Sequence, residues 1–300
     1  MSTTLAIEIV LASAFSASLY VVLRYFSVWR VDNLHGLTAN YITAATLSFC
    51  WNFSNNMNAA QTAAWMIPYA AGIGLLFIGV FYIAALTTQK AGITITSIAG
   101  KMSMIIPICA GIILFNDKVT TARIIGMILA LLAVLLSTYS KNKGASQQKI
   151  GAGTVILPIM LFIGSGMVDT SIKLSEHFLM EGEGDQLFVS MLFGSAGLIG
   201  TLLTFRGFLF RRFEQNRVWP NRRSISAGVL LGILNFFSLL FLINALASPG
   251  AESSLIFAIT NVLVVLFSTA SGLLLFHEKL SRTKIAGLLV AIISIVILSR

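Results

Sequence analysis

Charge is what this 300-residue chain has least of. Lys, Arg, Asp and Glu together make up 10% of it, against roughly 25% in an ordinary soluble domain. Hydrophobic residues make up 57%, and the mean hydropathy is +0.89. That balance excludes a soluble globular fold and places the chain in a bilayer. Cysteine is scarce as well: Cys50 and Cys109 both fall inside apolar runs, so they read as small packing residues, without a disulfide framework or metal-ligand spacing. Enzyme signatures are missing. There is no His-Glu-x-x-His, no Gly-x-Ser-x-Gly and no phosphate-cradling Gly-Lys-Ser loop, and His35, His177 and His277 all lie near connections. With only short connections between apolar stretches, no soluble catalytic domain fits, so neither an enzyme nor a bound cofactor is expected.

What is present is a series of apolar stretches. A helix needs about 20 mostly apolar residues to cross the hydrocarbon, and ten such stretches are centred near Phe15, Thr43, Leu75, Ser103, Ala130, Gly164, Gly197, Asn235, Val264 and Val290. Their length and continuity rule out a transmembrane barrel, whose strands alternate apolar and polar residues over about ten positions. The expected fold is an all-α membrane protein with ten transmembrane helices. Residues Thr4 to Phe26 lack a basic leader and a cleavage site and run too long for a signal peptide core, so they count as the first spanning helix.

The bases are distributed unevenly. Of the 20 Lys and Arg, only Lys118, Arg123, Lys173 and Arg300 fall on the even-numbered side, and Lys101 falls inside a helix. The rest sit on odd-numbered connections. By the positive-inside rule those connections face the cytoplasm of an inner or plasma membrane, and both termini lie outside. The densest run, Arg206 to Arg223, interleaves bases with Phe208, Phe210, Phe213 and Trp219. In a polytopic chain it reads as an anchor to anionic lipid headgroups, with no nucleic acid as partner.

The chain also contains itself twice. Gly111-Ile-Ile-Leu-Phe-Asn-Asp-Lys-Val-Thr, followed by Arg123 and Gly126, returns as Gly272-Leu-Leu-Leu-Phe-His-Glu-Lys-Leu-Ser, followed by Lys284 and Gly287. Apolar matches are cheap in such a chain, but glycine, acid, lysine and hydroxyl recurring in register are not. Residues 1–140 and 152–300 form the two halves, joined by a polar linker over 141–151. Five helices per half is an odd number, so the second half enters from the opposite side and the repeats are inverted. Inverted repeats can exchange conformations and so interconvert outward-open and inward-open states. A carrier is expected.

Two five-helix halves, each closing with an aliphatic helix, an acid-Lys turn and a Gly-containing last helix, resemble the drug/metabolite transporter superfamily, in particular its EamA branch. The residues that carry the resemblance are Ile106-Pro107, Gly111 and Phe115 to Lys118 in the first half, and Gly272, Phe276 to Lys279 and Gly287 in the second. Arg24 and Lys173 also match the basic residue found at the close of the first and sixth helices. Asp117 stands where Glu is usual, and Ser268 stands near where a proline matching Pro107 is expected, so the ninth helix is expected to bend less than the fourth. The resemblance covers almost the whole chain. It implies secondary transport of small metabolites through a central cavity.

Lys101 is the outlier inside the membrane, about nine residues into the fourth helix. A lysine at a helix centre costs ~2.5–3.5 kcal/mol on insertion scales, so it faces a wet cavity or an acid. It either binds an anionic group of a substrate or forms an internal salt bridge, with Asp169 or Glu8 as partner. Asp169, on the sixth helix, occupies the slot that Tyr20 fills in the first; a carboxylate there can titrate and couple transport to protons, or pair with Lys173 at i,i+4 near the helix end. Glu8 is a second coupling candidate, within two turns of the helix end. The uncharged candidates for substrate contact are Asn40, Tyr82, Ser103, Asn235, Asn244 and Asn261, the last being the repeat partner of Lys101. Each has an alternative reading as interhelical hydrogen-bond glue.

The expected function is secondary active transport of amino acids or other carboxylate-bearing solutes, by efflux and alternating access, with membrane lipids around a monomer and protons as a coupling ion. An exporter of lipophilic cations is the alternative, and would use Asp169 in place of Lys101. A channel fits less well, because one off-centre charge is not a ring of charge.

Overall fold

The computed structural model describes residues 3–54, 66–115, 120–138, 152–179, 185–210, 221–246, 248, 253–278 and 280–298. Among them the only regular elements are helices: α1 Thr3–Val28, α2 Asn33–Ser54, α3 Met66–Ala91, α4 Ile93–Met102, α5 Ile105–Phe115, α6 Thr121–Thr138, α7 Ala152–Leu179, α8 Asp185–Phe210, α9 Arg222–Leu246, α10 Ser253–Phe276 and α11 Arg282–Leu298. Nine of the ten expected centres lie within these helices, and the tenth, Ser103, falls in the turn between α4 and α5. Among the described residues seven spans are long and apolar enough to cross a membrane, and α6 contributes a shorter apolar helix over Ile124–Ser137. Large apolar side chains also face outward, among them Ile113 at 76% exposure and Leu274 at 75%. Lipid is the environment that satisfies such a surface. The protein is a helical, multi-pass membrane protein.

The fourth stretch is interrupted, whereas its counterpart α10 is continuous. The reason is local. Proline has no N–H, so at Pro107 the Ser103 carbonyl cannot receive the usual bond from four residues on. It accepts instead from the Ile106 N–H at 2.9 Å, a tighter turn that ends α4 and starts α5. Pro107 then sits in the first turn of α5, where its missing donor is tolerated. Ser268 holds the corresponding part of α10, and nothing there breaks the ladder.

The chain divides into two compact units whose boundaries fall within α1, α3, α7 and α9. Unit 1 comprises Met1–Arg24, Ile83–Asp169 and Phe237–Arg300; unit 2 comprises Tyr25–Tyr82 and Thr170–Phe236. Each draws on both sequence halves.

In unit 1 an apolar core gathers Ile98 and Met102 of α4, Ala130, Ala133 and Val134 of α6, Val265 of α10 and Ala291 and Ile295 of α11. The packing of α6 on α11 is built on the glycines that recur in the repeat. Ser294 donates to the Gly126 carbonyl at 2.8 Å, and a Cβ at Gly287 would stand 2.8 Å from the Ser137 nitrogen. Small residues let these two backbones approach. Because the early part of each helix meets the late part of the other, the two run antiparallel.

In unit 2, α2 is approached closely by α8 and by α9. A Cβ at Gly228 would meet the Gly36 carbonyl oxygen at 2.3 Å, and one at Gly232 the Asn40 carbonyl oxygen at 2.5 Å. Fully buried Tyr41 is surrounded by the rings of Phe77, Phe81 and Phe193, and its hydroxyl donates to the Phe77 carbonyl at 3.0 Å. A second apolar cluster comprises Ala70, Ile73, Phe188 and Leu192.

Candidate functional site

The site is built on α4. Gly92, with φ 101°, allows the chain to turn sharply out of α3 and start this ten-residue helix. Thr96 and Ser97 are fully buried on α4, and each hydroxyl returns a hydrogen bond to the helix backbone, to Gly92 O at 2.7 Å and Thr94 O at 3.0 Å. Such back-bonding satisfies a hydroxyl that has no water to turn to. Lys101 sits in the last turn of α4, half-buried. A cation belongs at that end, because the unsatisfied carbonyls of a helix C-terminus carry partial negative charge.

Three further side chains of unit 1 gather there. Ser103, the buried C-cap of α4, has a single hydroxyl proton shared between the Gly100 carbonyl at 2.6 Å and Asp169 Oδ2 at 3.4 Å. Asp169 projects from α7, is exposed, and lies within electrostatic range of Lys101 and Tyr20. The Tyr20 hydroxyl of α1 rests against Gly100, where a Cβ would meet it at 3.1 Å. A cation, an anion and two hydroxyls therefore meet where the fourth helix is interrupted. Lys101 and Asp169 act on one another electrostatically but do not form an ion pair within 4.0 Å. The internal salt bridge considered for Lys101, to Asp169 or to Glu8, is thus not a contact pair in this structure. Lys101 brings three donors, Asp169 acceptors, and the hydroxyls either role.

The remaining sequence candidates separate. Asn261, on α10 in unit 1, is half-buried with its Nδ2 4.0 Å from Met104 Sδ, a weak contact. Asn244 is half-buried; its backbone carbonyl accepts from Ser248 at 3.3 Å. Glu8 is half-buried too, and its Oε2 accepts from the same Ser248 hydroxyl at 3.4 Å. In unit 2, Asn40 and Asn235 are both buried and meet one another, with Asn235 Nδ2 donating to Asn40 Oδ1 at 3.4 Å. Asn40 Nδ2 has no hydrogen-bond partner. Tyr82, also in unit 2, is 41% exposed. Asp117, Lys118, Lys279 and the linker over 141–151 lie outside the described residues.

Sequence reasoning noted Tyr20 only as the counterpart of Asp169. Its place in the cluster comes from Gly100, a position without a side chain beside the charged residue, which leaves room for a hydroxyl from another helix. That vacancy is the one signal the sequence carried.

No known family model matches the chain. An uncharacterized protein of Haemophilus influenzae is 26% identical over 296 residues, which cover 96% of each chain. A solved crystal structure of a protein is similar in fold, with a TM-score of 0.58 at 9% sequence identity over 95% of both chains.

Proposed function

We propose that this protein is a secondary active transporter of the drug/metabolite superfamily, EamA branch, moving small carboxylate-bearing solutes such as amino acids out of the cell by alternating access. The observation that carries the reading is Lys101 beside Asp169, Ser103 and Tyr20 at the interrupted fourth helix, with the two charges not in contact. An ionisable group deep in a spanning segment is expensive, and holding one without closing it on its neighbour is what a solute pathway requires. Interrupted helices at membrane depth are where transporters bind their cargo. Lys101 receives the carboxylate, Ser103 and Tyr20 orient the polar remainder, and Asp169 takes and gives the coupling proton. The antiparallel packing of α6 on α11, in which each half contributes its recurrent glycine, supports the inverted arrangement of the halves. The base-rich connections face the cytoplasm of the cell membrane and both termini lie outside.

A thermal-shift screen of purified protein in detergent tests the reading, because a ligand that binds only the folded state raises its stability. Small carboxylates and amino acids stabilise the parent, and Lys101→Ala abolishes the shift while its own melting stays cooperative. Equal stabilisation of both forms by carboxylates sinks the assignment of Lys101. A second reading, export of lipophilic cations, draws on the greater exposure of Asp169. It takes over if cations alone shift the parent and Asp169→Asn removes that shift.

A further inference from the structure

At one end of unit 1, the reversal from α3 into α4 is held from both sides by opposite charges. Arg24, near the end of α1, donates to the Thr88 carbonyl at 3.0 Å and to the Gln89 carbonyl, in the last turns of α3. Its guanidinium lies 5.9 Å from the centre of the Phe276 ring at the end of α10. Gln89 in turn donates from Nε2 to the Leu23 carbonyl at 3.4 Å. On the other side of Gly92, the Glu278 carboxylate accepts from the Ile93 N–H at 2.6 Å, the Thr94 N–H at 3.4 Å and the Thr94 hydroxyl at 3.0 Å. Glu278 is itself held where α10 ends, its N–H donating to the Gly272 carbonyl at 2.9 Å after His277 turns the chain with φ 50°.

Two glycines make room for the carboxylate: a Cβ at Gly92 would stand 2.6 Å from it, and one at Gly272 2.9 Å. Each charge suits the helix end it touches, the cation on C-terminal carbonyls and the anion on N-terminal amides. An ordinary N-cap is supplied from the preceding residue. Here it comes from 185 residues away, so α4 is fastened to α10 by one side chain. Lys101 lies eight residues further along the same rod, about 12 Å at 1.5 Å per residue.

We propose that Arg24 and Glu278 are positioning residues, a two-charge clamp that holds α4, and with it Lys101, and that this end of unit 1 opens only when Glu278 releases the α4 amides. The role in transport rests on the reading of Lys101 as the solute site. The clamp itself does not.

Ser97, fully buried on α4 between the clamped end and Lys101, is the reporter. In a background with Cys50→Ser and Cys109→Ser, Ser97→Cys is reacted with a maleimide in purified, detergent-solubilised full-length protein, and melting is recorded alongside. The parent reacts slowly. Glu278→Gln, which keeps the shape and removes the charge, reacts about tenfold faster, the scale of one charge-assisted hydrogen bond, and Glu278→Asp returns toward the parent rate. A role confined to fold stability would raise labelling only in step with a lower melting temperature, whereas opening of this end raises labelling while melting stays near the parent. Glu278→Gln reacting at the parent rate overturns the clamp. If that variant does not melt cooperatively, Arg24→Gln decides by the same criterion.

The solute screen separates the two readings. Faster labelling in a parent that no solute stabilises sinks the transport function and leaves the clamp. Unchanged labelling in a parent stabilised by carboxylates does the reverse.

Discussion

In and beside their apolar spans, unit 1 and unit 2 carry different kinds of polarity. Unit 1 holds ionisable groups: Lys101 and Asp169 around the α4 terminus, Glu278 on the α4 amides and Arg24 on the α3 carbonyls. In unit 2 neutral groups meet across helices. Asn235 donates to Asn40, Ser48 and Ser190 share a 2.6 Å bond, Thr38 and Thr204 meet at 3.3 Å, and Tyr41 donates to a carbonyl. Neutral hydrogen bonds between helices are worth roughly 0.6–2 kcal/mol and serve packing. Charge is costly at membrane depth, which sets the α4 terminus of unit 1 apart from the neutral contacts of unit 2. Close backbone packing occurs in both units, at Gly228 and Gly232 in unit 2 and at Gly287 in unit 1, whereas the Lys101–Asp169 cluster lies in unit 1.

The largest effect that would test this contrast is in unit 2. Gly228→Leu forces a side chain into the 2.3 Å gap to the Gly36 carbonyl, and overpacking of a rigid contact costs about 3 kcal/mol. The variant melts well below the parent, by circular dichroism in detergent. A melting temperature within about two degrees of the parent would show that α9 does not rest on α2 in this way.

In unit 1 the contrast runs the other way. Asp169→Asn keeps the hydrogen-bond geometry toward Ser103 and removes an exposed charge, so stability shifts by no more than about 1 kcal/mol, whereas on the transport reading the pH dependence of solute flux into proteoliposomes flattens. A variant several kcal/mol less stable, with its pH profile intact, would return Asp169 to a structural role.

The smallest effect concerns Asp32, in the connection between α1 and α2. Burial alone would raise its carboxyl, but hydrogen bonds from the His35 backbone N–H at 3.0 Å and ring nitrogen at 2.8 Å hold it below the usual range. A depressed folded value means the stabilisation is present above the unfolded carboxyl value near 3.9 and is lost as pH falls through the folded one. The side chain is 41% exposed, so solvent screening leaves a fraction of a kcal/mol. Asp32→Asn melts slightly lower than the parent at pH 7, and the gap closes toward pH 3. A gap that widens on acidification would reverse the assignment.

Much of the architecture was legible because membranes impose simple rules. Twenty-residue apolar runs mark helices, and Pro107 after Ile106 marks the break in the fourth. The recurrent Gly126 and Gly287 were visible as a repeat, though not as the two ends of one helix pair. At the site, Lys101 and Asp169 stood out because charge is rare at that depth. Tyr20 did not, since one tyrosine among many apolar residues carries no such contrast. Asn40 and Asn235 looked like the same kind of candidate as Ser103, yet they pair with each other in unit 2 while Ser103 reaches Asp169. Residue type cannot distinguish these cases; only neighbours can.

By itself the sequence determined that the chain is helical, spans a membrane repeatedly, repeats itself and carries a lysine where lipid forbids one. These properties are written in local composition and periodicity, because hydrocarbon penalises any unsatisfied backbone or side-chain charge wherever it stands. The tertiary structure alone decided that the chain folds as two units, each interleaving both halves, that Lys101 approaches Asp169 without closing on it, and that the α4 amides find their acid in Glu278. Those outcomes depend on which helices become neighbours across more than a hundred residues of chain, and that is set by the packing of whole surfaces, glycine against carbonyl and ring against ring.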